Sequence, residues 1–412
     1  MLGRIVRGSA LGCTVVLAAL APALAGNRNV PGSYSTIQAG VDAAAEGDVV
    51  VCAAGTYTEA VAATKSKITI QGASGAVWDG GTGTSARDCL VVTGNAVVVT
   101  GFAFKNGKSH CKLTGDDCKV TNCTGADASE SFCVIAGARG DIESCRADRC
   151  KGPSIKCVGD SPKVKYCNVY DCDDVGFHCE GDHHVARSCW AERCKKGGYR
   201  CKGREHDVQH CDARTCDEFG FSFEGDLAYC YDNYAKECGT SAGTGSGYIV
   251  VGSSNYFEYC DAYKCKPCGH WWKGNTNQGY DNWCDYDEED GFRREGDDNE
   301  CDYEQARYCG NHGFRCEGNR NAHNHCDSYS HDRDGFNCKS GQDNSYRSCR
   351  GKYNSGAGCR NSGTSTDVSY CTFLYNSVDI GLGTSGATWG TFSLNTFVSG
   401  SLTGILGLGL GL

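Results

Sequence analysis

Apolar and small residues recur along this chain in short alternating runs and show no helical rhythm. Phe177-x-Cys179, Tyr199-x-Cys201, Phe221-x-Phe223 and Cys189-x-Ala191 alternate with polar positions, and a period of two turns one face of a strand inward. A glycine closes several of these runs, at Gly181, Gly203 and Gly225, where the chain must bend. The runs repeat. Cys123, Cys145, Cys167, Cys189 and Cys211 lie 22 residues apart. Cys150, Cys172, Cys194 and Cys216 keep the same period, as do Cys157, Cys179 and Cys201, with Phe223 next. The first series extends less regularly through Cys230, Cys260, Cys284, Cys301, Cys326, Cys349 and Cys371, and its length changes fall in turns such as 240–254. Segments this short bury little alone; stacked about 4.8 Å apart they share a core and satisfy one another's backbone groups. The pattern predicts an all-β parallel solenoid with coils of about 22 residues. Helical repeats fail for want of helical periodicity, and propeller blades run to about 40 residues.

One amphipathic helix is expected, over Tyr34–Ala44, capping strand edges that would otherwise be open. Gly47-Asp48-Val49-Val50-Val51, Gly55-Thr56-Tyr57-Thr58-Glu59 and Ile68-Thr69-Ile70-Gln71-Gly72-Ala73 follow it. Residues 30–80 thereby resemble the opening of pectate-lyase-like right-handed parallel β-helix proteins, in which a helix plugs the first coil. The resemblance implies that fold and an extracellular setting. The Asn-Thr-Asp, Asp-Asp and Gly-His-Gly set of polygalacturonases is absent, as are the motifs of pectin methylesterases, and no pectate-lyase calcium and arginine motif aligns. The organisation expected is a signal peptide over 1–25, cap and first coils over 26–110, a cysteine-rich repeat over 111–379, and a final coil with an apolar Gly/Leu tail over 380–412.

Arg4 and Arg7 precede an apolar run, Leu11–Leu24, that closes on small residues, the pattern of a secretory signal. Residues 1–25 hold two of the 40 basic residues and none of the 50 acidic ones, so removing them takes the net charge from −10 to −12. An acidic chain without a basic tract argues against nucleic acid as a partner. An extracellular polysaccharide is the partner expected, with no transmembrane segment in the mature chain. The 32 cysteines include Cys13 in the leader. Equivalent residues one coil apart lie within disulfide reach, so Cys145, Cys167, Cys189 and Cys211, Cys150, Cys172, Cys194 and Cys216, and Cys157, Cys179 and Cys201 are disulfide candidates. Free thiols acting as small hydrophobes are the alternative, and a metal-loaded set is a third possibility.

A solenoid has no cleft of its own, so chemistry falls to outward side chains. In Gly-Phe-x-Cys-x-Gly the first x is Lys156, His178, Arg200, Ser222, Arg293, Arg315 and Asn337 down the stack. The second is Val158, Glu180, Lys202, Glu224, Glu295, Glu317 and Lys339. Cations beside carboxylates suit an anionic sugar: the cation holds its carboxylate and an acid or base works on the bond. His178, Arg200, Glu180, Arg293, Glu295, Arg315 and Glu317 are the catalytic candidates. Trp271, Trp272 and Trp283 are candidates for stacking on sugar rings, and Asp285, Asp287, Glu289 and Asp290 for Ca²⁺ through oxygen ligands. His331-Asp332-Arg333-Asp334, with His312 near Arg315, resembles the His/Asp clusters of uronate epimerases of this fold and adds His331 and Asp334 to the binding set. A solvated, cross-paired charged face is the competing reading of the ribbon. For the whole chain the alternative is a non-enzymatic surface or adhesive protein rigidified by disulfides.

Overall fold

A computed structural model describes residues 25–239, 245–384, 386–393, 395–398 and 401–402. The expected leader, Cys13 and the end of the apolar tail lie outside the described residues. The one α-helix, Ile37–Ala43, buries Ile37 and Val41, and its N-terminal amides donate to the Thr36 hydroxyl and the Glu59 carboxylate. Apart from a 3₁₀ turn at Gly83–Ser85, the other described residues form a parallel β-solenoid of three sheets with 17, 16 and 16 strands. Each coil gives one strand to each sheet, as in Lys163–Lys165 (sheet one), Asn168–Tyr170 (sheet two) and Val175–Glu180 (sheet three). No helix among the described residues is long and apolar enough to cross a membrane.

The period of 22 is the coil. His178 pairs with Arg200 and Cys179 with Cys201, residue directly above residue. Inward on sheet three, Phe177, Tyr199, Phe221, Tyr248, His270, Phe292, Phe314 and Phe336 form an unbroken stack with ring centroids 4.3–5.1 Å apart. Each such contact contributes about 0.5–1.5 kcal/mol beyond burial. The turn from sheet three to sheet one is held by glycines. At Gly225, φ is +148° and a Cβ would come within 1.8 Å of the Gly203 carbonyl oxygen, so no other residue fits.

The cysteine columns need three corrections. First, all 31 cysteines from Cys52 to Cys371 are buried, unbridged thiols, so the vertical disulfides expected from the spacing are not formed. Each turn sulfur is turned toward carbonyls instead: the Cys167 thiol donates to Lys165 O (3.1 Å) and Ile142 O (3.6 Å), and that of Cys189 to Arg187 O and Val164 O. Second, Cys230, Cys284 and Cys301 are not in the Cys123 column. They point inward from strands of sheets one and two. The column continues through Asn233, Cys260, Asn282, Glu304, Cys326, Cys349 and Cys371, because what the site needs is an acceptor for the N–H one coil earlier. Asn233 Oδ1 takes Cys211 N–H (2.9 Å) and Asn282 Oδ1 takes Cys260 N–H (2.8 Å). Third, a register shift after Cys316 sets Glu317 opposite Ser340 rather than Lys339.

A buried ion pair replaces two thiols in the core. Arg294 occupies the Cys316 column and Glu304 the Cys326 column, and their side chains pair with 1 % and 0 % exposure. The Arg294 guanidinium also lies over the Trp272 and Phe292 rings, at 4.6 and 5.1 Å.

Candidate functional site

On sheet three, the position two residues before each inward aromatic changes character down the stack. It is Val175, Gly197, Phe219, Ser246 and Cys268 in the earlier coils, then Asp290, His312 and Asp334 in three consecutive ones. All three are at least nine-tenths buried, and each takes a backbone N–H from the following coil. His312 N–H donates to Asp290 Oδ1 (3.2 Å), Asp334 N–H to His312 Nδ1 (3.2 Å), and Ala357 N–H to Asp334 Oδ1 (2.7 Å). Because His312 Nδ1 accepts, the neutral ring carries its proton on Nε2. Burial holds the imidazole below its usual value, against the pull of Asp290 and Asp334, so the ring is neutral at pH 7.

Beside this column stand the outward residues Arg293, Arg315, Asn337 and Arg360, in register on successive strands. Arg315 Nη1 lies 3.6 Å from Asp290 Oδ2, and its Nε donates to Glu317 Oε1 (3.0 Å). Arg360 Nε and Asn337 Nδ2 both donate to Asp334 Oδ2, at 2.9 and 2.7 Å. Burial pushes the Asp334 carboxyl up, but hydrogen bonds from Arg360, the Ala357 amide and Asn337 outweigh it and hold it below the usual range. A groove of about 570 Å³ results, lined by His312, Arg315, Asp332, Arg333, Asp334, Asn337, Lys339, Gly356, Arg360 and Ser362. Four of its ten residues are cationic. It can hold anionic groups beside a neutral imidazole and an ionised carboxylate.

Of the expected residues, Arg315 and Asp334 line the groove, and Glu317, Arg293 and Glu295 flank it on the same face. His178, Glu180 and Arg200 share that face far up the stack, where His178 Nε2 lies 3.6 Å from Glu180. The ribbon between is not continuous. The 27-residue coil from Phe221 to Tyr248 inserts Ile249 and Trp271 between Ser222 and Arg293, and Val251 and Lys273 between Glu224 and Glu295.

The aromatic and acidic clusters disperse. Trp271 faces outward between Lys273 (3.6 Å) and Arg293 (4.6 Å), whereas Trp272, its neighbour in the strand, points into the core and offers nothing to a ligand. Trp283 belongs to sheet two. His331 is buried in a turn, where its Nδ1 accepts Cys309 N–H (3.0 Å). The four Ca²⁺ candidates do not converge either: Asp285 is in a strand of sheet two, Asp287 is buried in the next turn and Asp290 is in the column described above. Among the described residues no group of three or more His, Cys, Asp or Glu is placed to hold a metal ion. Arg360, not expected, is one repeat beyond Asn337; following the coil rather than the Gly-Phe-x-Cys-x-Gly motif would have found it, since Cys359 stands where phenylalanine stood.

Residues 51–217 match the family model described as the right handed beta helix region. That span matches a right-handed β-helix, the described residues as a whole form a parallel β-solenoid, and the groove lies C-terminal to the matched span. No curated protein matches the sequence. Among solved structures, the chain is similar to the catalytic domain of an alpha-1,3-glucanase (8% identity, 91% of this chain and 70% of that one, TM-score 0.48). It is also similar to a rhamnogalacturonan lyase (14% identity, 54% and 75%, TM-score 0.41). A third is the A-module of Azotobacter vinelandii mannuronan C-5 epimerase (11% identity, 90% and 91%, TM-score 0.33).

Proposed function

We propose that the chain binds and processes an acidic extracellular polysaccharide in the groove on sheet three. The observation that carries this reading is the Asp290–His312–Asp334 column beside Arg315, Asn337 and Arg360. A sugar carboxylate entering the groove meets guanidinium groups, which compensate its charge and stabilise further negative charge as a neighbouring C–H proton passes to the ionised Asp334 carboxylate. The neutral His312 imidazole, with Nδ1 committed to the Asp334 amide, presents Nε2–H as a hydrogen-bond donor to the sugar. A rod stiffened by disulfides, the alternative, has no cross-link among the described cysteines to rest on.

The test compares polygalacturonate and polymannuronate with uncharged dextran, measuring binding and turnover. Arg315→Ala and Arg360→Ala should weaken binding of the acidic polymers. His312→Asn keeps an acceptor for the Asp334 amide and removes the imidazole; it should retain binding and lower turnover by about 10²–10³. Wild-type protein that binds neither acidic polymer, or arginine variants that bind as wild type does, would refute the reading.

A further inference from the structure

A separate surface lies on sheet two, across the turn Cys309–His312 from the groove. The last residue before that turn has a left-handed backbone in each coil from Asn106 to Tyr375: φ is +53° at Arg149, +54° at Asp171 and +56° at Arg193. In these early coils the position carries vertical ion pairs, Arg149 Nε to Asp127 (2.7 Å) and Arg193 Nε to Asp171 (2.6 Å). From Tyr286 onward it reads Tyr286, Tyr308, Ser330, Tyr353 and Tyr375, still at φ +53° to +59°. Bulky residues are disfavoured in that conformation and asparagine or aspartate preferred, so the fold does not ask for tyrosine here. The four rings are 43–51 % exposed.

Tyr286 stacks on Tyr308 (4.8 Å) and Tyr353 on Tyr375 (5.1 Å), so these rings largely cover one another's faces along the axis. Ser330 interrupts the ladder. Tyr329 leans into the gap with its ring turned 81° from Tyr308 and 69° from Tyr353, which aims a ring face across the ladder instead of along it. The trough beside it has a volume of about 530 Å³. Arg307 and Lys352 are its register neighbours, one coil to either side. Among the described residues neither cation is in an ion pair, whereas Arg350 in the same trough is bound to Asp327 (2.6 Å). Arg307 donates to Gln305 Oε1 and lies over the Trp283 ring (4.7 Å), so it is held in place without being neutralised by an ion pair, and two such cations around an exposed aromatic ring stand out on a chain of net charge −10.

We propose that this trough is a second carbohydrate site, which seats one ring of an acidic polysaccharide on Tyr329 with sugar carboxylates held by Arg307 and Lys352. The polymer runs along the solenoid axis, so cations about 4.8 Å above and below the platform meet successive acidic residues. The ligand class rests on the reading of the groove; the residues are independent of it.

The test is calorimetry and affinity electrophoresis of the full chain with polygalacturonate and polymannuronate, with dextran as the uncharged control. Tyr329→Ala should weaken binding roughly three- to tenfold, while Tyr329→Phe keeps it. Lys352→Ala should weaken binding and flatten its salt dependence, and Lys352→Arg should restore both. Unchanged binding in Tyr329→Ala and Lys352→Ala, with Arg315→Ala defective, overturns this site and leaves the groove standing. The reverse pattern supports this site and sinks the groove. No binding of either acidic polymer by wild type overturns both.

Discussion

Asp287 offers the sharpest test of the coil geometry. It takes a place held by cysteine in six consecutive coils, from Cys150 to Cys265, and by asparagine at Asn354 and Asn376. Its Oδ1 accepts Cys265 N–H (2.8 Å), while Oδ2 is buried without a hydrogen-bond partner among the described residues. Burial drives the carboxyl well above its usual value, so the folded chain holds a proton that the unfolded chain releases near pH 4. The sign follows. Stability is greatest below the unfolded value and falls as pH rises toward the folded one, by about 1.4 kcal/mol per pH unit. Asp287→Asn removes the titration. It keeps the acceptor for Cys265 N–H and sets an amide beside the Cys284 sulfur, as Asn233 already does toward Cys260 (3.7 Å). The variant should therefore gain on wild type steadily as pH is raised from about 4 toward neutrality. A solenoid need not unfold as one unit, so the local readout is native-state exchange of the Cys265 amide, alongside urea denaturation. A stability gap that stays constant with pH, or an asparagine variant less stable than wild type at neutral pH, refutes the argument.

Three further outcomes are expected. Glu304→Ala leaves the Arg294 charge unpaired in the core and should cost about 3–5 kcal/mol; adding Arg294→Cys should recover most of it, and a double-mutant cycle in thermal denaturation measures the coupling. Alkylation under denaturing, non-reducing conditions should count 31 free thiols over Cys52–Cys371, and reducing agent should leave the melting temperature unchanged. If the neutral His312 ring donates from Nε2–H to the sugar, turnover should persist below pH 6.5 on the acid side, because burial lowers that imidazole and it charges only at lower pH; a limb at or above 6.5 that is unaffected by His312→Asn refutes the assignment.

Much of the architecture was legible because one residue type marked it. Cysteine at a fixed interval reported the coil, and Phe-x-Cys alternation reported which side chains of sheet three point inward. The same marker misled where chemistry, not identity, is what repeats. The turn columns need a compact side chain that accepts an N–H from the neighbouring coil. Asparagine and aspartate oxygens and the Nδ1 of His331 all meet that need, and Cys371 Sγ does so for Cys349 N–H (3.4 Å). Tracking sulfur alone therefore jumped columns at Cys230, Cys284 and Cys301, and passed over Asn233, Asn282 and Glu304. Spacing also suggested disulfides, since the coil pitch fits one, and thiols of successive coils do stand beside one another, but they are unbridged and also turned toward carbonyl oxygens.

The charged face was legible on both sides of the 27-residue coil but not across it. There the insertion shifts the numbering by five residues while the pleat continues, so Trp271 and Trp272 fall on opposite sides of one strand although the sequence offers them as a pair. Arg315, Asp334 and His312 were recognisable because each lies close to a Gly-Phe step. Arg360 was not, because Cys359 replaces the aromatic that marked the motif. The groove forms where a column that elsewhere tolerates valine, glycine or phenylalanine carries Asp290, His312 and Asp334 in succession. Packing does not require that change: Ala357 fills the next place, and its N–H still finds Asp334 Oδ1. Three costly buried polar groups in a row, where an apolar residue fits one coil on either side, are the feature on which the proposed chemistry rests.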